Sequence, residues 1–271
     1  MTLGPPVSEA MEPSRSVGVL QQSPVDASEP LFRRFPVDAP TSRLVCLPHA
    51  GGNAGLFHDW PYRLAPGIEV LAVQYAGRQD RLADPFPQSL EDLADEIAGQ
   101  LLPYLDVPVS LFGHSMGAPL AYEVARRLED YYPDALAHLF VSARPAPSAG
   151  AHGIGHQIND ADLVAWAVKL GGPGSEAYTD QNLRDLVLPS LRSDLTLLSA
   201  YSPAEITRLE APITAFGGTE DPDCAPTELA TWQGVTASEF DVRVFDGDHF
   251  YLVSHTAALA HEISSRSPTA C

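Results

Sequence analysis

The sequence has only three cysteines in 271 residues, at positions 46, 224 and 271. They lie far apart and match no zinc or paired-redox spacing, which argues against a disulfide framework or a structural metal and leaves them as core filler and tail. Basic residues are also scarce: 16 Lys and Arg stand against 35 Asp and Glu, giving a formal net charge of −19. Such a surface repels nucleic acid and anionic membrane on average, so neither is expected as a partner. No apolar run reaches the length of a membrane span. The N-terminus, MTLGPPVSEAMEPSRSVG, lacks the basic start and apolar middle of a signal peptide, so a cytoplasmic location is expected.

Hydrophobic residues make up 45% of the chain, enough for one sizeable core. Residues 1–28 are rich in Pro, Ser, Gln and acidic residues without a period, and are read as a flexible extension. From there to residue 266 short β-like runs alternate with helical patterns, which predicts a single α/β domain: a mostly parallel sheet with helices on both faces. After residue 88, Leu90, Leu93, Ile97, Leu101 and Leu102 recur at helical spacing, with Glu91, Asp92, Asp95 and Glu96 on the solvent side. The alternation breaks at SAGAHGIGHQ (148–157), after which helical character continues to about residue 202. An insertion at about 150–205 is therefore expected, either as a helix pair that only adds stability or as a lid over a site made by the sheet. Pro189 should kink its second helix. Strand character returns at 212–218 and 240–253.

The stretch SLFGHSMGAPLAYEVARRL (110–128) puts Ser115 in a G-x-S-x-G pattern between an apolar run and a helical one. That is the context of a nucleophile elbow, where a sharp strand-to-helix turn leaves the serine hydroxyl clear and Gly113 and Gly117 let helix and strand approach. A serine needs a base and the base needs an orienting acid. His249, just past the last β-like run in FDGDHFYLV, is the favoured base, with His49 and His114 as rivals beside the candidate site. The loop GGTEDPDCAP offers Glu220, Asp221 and Asp223 as the acid. Asp221 is chosen because the Pro after it restrains it and because it completes the chain order Ser, Asp, His. The oxyanion would be met by two backbone amides, those of Met116 at the helix start and Ala50 in the loop PHAGGNAG (48–55).

Together, LPHAGGNAG, QYAGRQDR, LFGHSMGAPLAYEVAR, LRSDLTLLSAY, ITAFGGTEDP and FDGDHFYL, in this order, resemble the type II thioesterases of polyketide and nonribosomal peptide synthetase pathways, which have the α/β-hydrolase fold. The likeness covers about residues 30–260 and departs from the family at Ala76, where members usually carry Pro before the Gly-Arg pair. It implies a catalytic triad of Ser115, Asp221 and His249 and an oxyanion hole of Ala50 and Met116. It further implies hydrolysis of acyl groups from the phosphopantetheine arm of acyl or peptidyl carrier proteins, through an acyl-serine intermediate and without a metal or organic cofactor. His49, Gly51, Arg78, Trp166 and Leu198 are the candidate substrate-contacting residues, the lid side chains Trp166, Leu170 and Leu198 setting acyl-chain length. Because carrier proteins are usually acidic, docking would need a local basic patch, for which Arg78, Arg81, Arg126, Arg127 and Arg144 are candidates. An oxygen-ester lipase with the same triad and a non-catalytic acyl- or pantetheine-binding protein are the alternatives.

Overall fold

A strand apolar along most of its length is stable only with both faces covered, and this chain has several in succession. In the computed structural model, which describes residues 31–150 and 159–268, a short strand β1 (Phe32–Phe35) precedes β2 (Ser42–Leu47), β3 (Ile68–Val73), β4 (Val109–His114), β5 (Leu136–Ser142), β6 (Ile213–Gly218) and β7 (Phe240–Phe245). The expected extension 1–28 and most of the Gly-rich link, 151–158, lie outside the described residues. Strands β2, β3, β4 and β6 are buried at every position. They form one seven-stranded sheet in the order β1-β3-β2-β4-β5-β6-β7, parallel throughout except for the antiparallel edge pair β1 and β3.

The two-residue period of the strands divides the core in two. Val45, Leu47, Leu71, Val73 and Leu111 pack on one face against α1 (Leu90–Leu101) and α2 (Gly117–Tyr131). Leu44, Cys46, Val70, Ala72 and Phe112 face the other way, toward Phe57, Trp60 and the C-terminal helix that carries Leu259, Ala260 and Ile263. The apolar stripe read from the sequence of α1 is the buried one, and Ser89 caps the helix by accepting the Asp92 N–H at 3.0 Å. Between β5 and β6, adjacent and parallel, come α3 (Asp160–Leu170) and α4 (Gln181–Ala200), so both ends of the insertion join the same sheet as expected. Pro189 falls inside α4.

The last β-like run is shorter than the sequence suggests. Its strand stops at Phe245, and the end of the expected run, up to residue 253, falls in the short helix α5 (Tyr251–Ser254), followed by α6 (Thr256–Arg266). The break comes from Asp248, whose side chain accepts the Phe250 N–H at 2.8 Å and turns the chain, while Gly247 adopts φ 124°. Among the described residues no helix is long and apolar enough to cross a membrane.

Candidate active site

The strand order reverses at β2: the chain runs outward to β3 and then crosses back to β4 on the other side of β2. In an open parallel sheet this leaves a crevice beyond the carboxyl ends of the two diverging strands. The loops that emerge there are the histidine–Ala–Gly–Gly loop after β2 and the Gly-His-Ser-Met-Gly turn after β4.

Ser115 has φ 56°, a left-handed conformation that costs a non-glycine residue roughly 1–2 kcal/mol. Its neighbours impose it. Ser115 N–H donates to the Ser142 carbonyl of β5 at 2.8 Å, and α2 begins two residues later. A Cβ at Gly113 would collide with the Gly117 carbonyl, and one at Gly117 with the Leu47 carbonyl, so strand and helix meet at a separation only glycine permits.

His249 lies in the turn between β7 and α5 and is 2% exposed. Its Nδ1 donates to both carboxylate oxygens of Asp221, at 3.0 and 2.9 Å, and its Nε2 is buried without a hydrogen-bond partner. Asp221 stands in the loop after β6, where its Oδ1 also accepts the Asp223 N–H at 2.8 Å. The two loops are zipped together: Thr219 N–H donates to the Phe245 carbonyl and Glu220 N–H to the Gly247 carbonyl, each at 2.9 Å. Gly218 allows it, because a Cβ there would strike the carbonyls of Gly247 and Asp248. Burial pushes the neighbouring Cys224 thiol up to about 12, with the Asp221 charge adding to the shift.

The rival histidines surround this pair. The His114 ring centroid is 5.1 Å from that of His249 and 5.9 Å from that of His49, and Phe250 stands among all three. His114 turns away from its neighbour Ser115: its Nδ1 lies 2.9 Å from Ser142 Oγ, itself 2.7 Å from Tyr251 Oη. Burial, with the nearby His249 and His49, holds His114 well below the usual histidine range. Burial also lowers His49 to about 3, helped by His249 and Arg78. Both rings are therefore poor proton acceptors at neutral pH.

Within the loop after β2, Gly51 N–H donates to Asp194 Oδ2 at 2.7 Å and Gly52 N–H to the His49 carbonyl at 2.9 Å. The amides of Ala50 and, at the start of α2, Met116 have no acceptor among the described residues. A cavity of about 490 Å³ opens beside Ala50, lined by His49, Gly51, Trp166, Leu170, Tyr178 and Leu191 among others. Of the candidate substrate-contacting residues, His49, Gly51 and Trp166 line this cavity. Arg78 and Leu198 do not line it. Leu198 is packed into the core beneath α4, and Arg78 is buried in an ion pair with Asp194, at 2.7 Å.

The expected basic docking patch is not formed by its candidates. Arg81 is buried and paired with Asp84 and Glu96, while Arg126 and Arg127 hold Glu123, and Arg127 also Asp95. Arg144 is largely withdrawn from water, and burial lowers its pKa. Asp194 is the residue that sequence reasoning missed. A signal existed, since it lies three residues after Leu191 and four before Leu198, an acid on the apolar face of a helix. Among the described residues no group of three or more His, Cys, Asp or Glu is arranged to hold a metal ion.

A parallel sheet with a left-handed serine at a strand-to-helix turn and an acid–histidine pair on the last two strand ends defines an α/β-hydrolase. Comparison with known proteins narrows the class. The pattern of the thioesterase domain family matches residues 42–266, and the chain belongs to that family. It is 38% identical to the thioesterase PikA5 of Streptomyces venezuelae over 235 residues, covering 86% of this chain and 84% of that one. It is 37% identical to a probable cadicidin biosynthesis thioesterase of Streptomyces griseus, over 97% of this chain and 74% of the relative. Among solved structures, the type II thioesterase BorB from the borrelidin biosynthetic cluster superimposes with a TM-score of 0.81 at 39% identity, covering 88% of this chain and 98% of BorB.

Proposed function

We propose that this thioesterase clears acyl groups from the phosphopantetheine arms of acyl or peptidyl carrier proteins, with Ser115 as nucleophile. The observation that carries the reading is His249: Asp221 holds its Nδ1, its Nε2 is buried without a partner, and its ring lies 5.1 Å from that of His114, the residue before Ser115. Ser115 Oγ attacks the thioester carbonyl as His249 Nε2 takes the hydroxyl proton, and the buried Asp221 carboxylate compensates the imidazolium that forms. The tetrahedral oxyanion accepts from the Ala50 and Met116 amides, the two that the loop geometry leaves available. Collapse breaks the carbon–sulfur bond, and the pantetheine thiolate leaves with the proton from His249. Water then attacks the acyl-serine, again deprotonated by His249, and the acid is released. No step uses a bound metal or organic cofactor. The polyketide and peptide-antibiotic pathways named for its relatives support carrier-bound substrates, and the apolar chamber under Trp166 and Leu170 suits an acyl chain.

The test compares matched acyl-pantetheine thioesters and oxygen esters, with Ser115→Ala alongside. The expected result is a preference for the thioester and a loss of about 10⁴-fold or more in kcat for Ser115→Ala. A preference for the oxygen ester would make the protein an esterase, and unchanged hydrolysis by Ser115→Ala would remove the serine from the mechanism.

A further inference from the structure

An ion pair withdrawn from water loses hydration that its own attraction only partly offsets, so such a pair needs a reason beyond stability. Arg78 and Asp194 form one, at 7% and 2% exposure, between the loop after β3 and the inserted helix α4. Arg78 Nη1 and Nη2 donate to the two carboxylate oxygens at 2.7 and 2.8 Å. The pair also takes hold of the loop after β2 at two points: Asp194 Oδ2 accepts the Gly51 N–H at 2.7 Å, and Arg78 Nη1 donates to the Gly52 carbonyl at 2.9 Å. Tyr178 closes the space above Gly51, since a Cβ there would come within 2.5 Å of its hydroxyl.

The consequence reaches the amide of Ala50. Gly52 N–H donates to the His49 carbonyl at 2.9 Å, and a trans peptide holds the Ala50 N–H antiparallel to that carbonyl in one plane. Fixing Gly51 and Gly52 therefore fixes the direction in which Ala50 N–H points. We infer that Arg78 and Asp194 are positioning residues through which α4 aims the Ala50 amide at the oxyanion. This inference rests on the serine-thioesterase reading above. Arg78 thus serves the reaction without touching substrate.

The experiment uses a variant that removes both charges at once, Arg78→Met with Asp194→Leu, because deleting one partner would leave the other buried and unpaired. Two ligands are compared on the full chain. A trifluoromethyl ketone carrying the acyl group forms a hemiketal: Ser115 Oγ bonds to the ketone carbon, the carbonyl π pair becomes the oxyanion, and the serine proton passes to His249. An acyl-pantetheine thioether binds the same chamber without forming an oxyanion. The double variant should hydrolyse thioester roughly 10–100-fold more slowly in kcat with KM little changed. It should lose ketone affinity by a similar factor while keeping thioether affinity, read by fluorine NMR and by calorimetry. Should it fail to fold, Arg78→Gln with Asp194→Asn, which also removes both charges but keeps an oxygen for Gly51, carries the same comparison with a smaller loss in the same direction. Equal effects on both ligands, or none on the ketone, would overturn the inference. Absence of a hemiketal in the unmodified protein would instead overturn the serine reading itself.

Discussion

Gly117 and Gly99 sit in neighbouring helices and give opposite expectations for the same substitution. A methyl group at Gly117 would press on the carbonyls of Leu47 and Pro48, whereas nothing lies within 4 Å of one at Gly99. Gly117→Ala should cost about 1–3 kcal/mol by forcing α2 away from β2. Because the displaced turn carries Ser115 and the Met116 amide, kcat should fall roughly 100-fold as well. Gly99→Ala should gain up to about 1 kcal/mol of helix stability with activity unchanged. Urea unfolding and thioester hydrolysis on both variants decide it, and equal effects would mean that close approach is not what the elbow requires. The elbow was legible because its requirements are local: two glycines, a strand before and a helix after. The Asp221–His249 pair was legible in part, through chain order and a turn-forming sequence. The Arg78–Asp194 pair was not, since its members are 116 residues apart and Asp194 is one of 35 acids.

At the scale of elements, alternation of buried runs and amphipathic helices gave the parallel sheet, because each strand declares its own burial. It did not give the antiparallel edge of β1, which depends on a partner, nor the end of β7, where alternating apolar residues continue into a turn. The insertion shows the same limit. Read from sequence it is one unit; in the structure it divides. In α3 only Leu163 and Ala167 are buried, and Leu183 and Leu186 in the first half of α4 are exposed. From Leu188 onward α4 buries Leu191, Leu195, Leu197 and Leu198 and is fixed by Asp194, while Tyr201 just beyond it donates to Glu123 at 2.7 Å. Amide exchange should therefore be fast over 160–187 and slow over 188–201, with the inner half as protected as the strands of the sheet. Substrate would enter by movement of the outer half alone. Uniform exchange across 160–201, fast or slow, would contradict that division.

For the whole molecule, acid sets two opposing tendencies against each other. The net charge of −19 favours expansion through self-repulsion, and protonation would relieve it. Carboxylates, however, ordinarily titrate near pH 4, so between pH 7.5 and 5.5 little of that relief arrives. Buried neutral histidines act in the same interval with the opposite sign. Burial lowers His138 to about 4 and His49 to about 3, from an ordinary value of 6.5, and holds His114 well below that value too. A histidine whose pKa is lower when folded binds fewer protons folded than unfolded below pH 6.5. Its contribution is whole above that pH and is lost as the pH falls toward the folded value, at up to about 1.4 kcal/mol per pH unit for each ring. The histidine effect therefore wins, and the urea midpoint should drop steadily from pH 6.5 to 5.5. His138 is the ring to test, because it stacks on Phe140 and bonds Thr214, outside the group around Phe250. His138→Gln should lower stability at pH 7.5 yet flatten its decline toward pH 5.5, with hydrolysis retained. A midpoint that stayed level or rose on acidification would show that charge repulsion governs the stability of this chain instead.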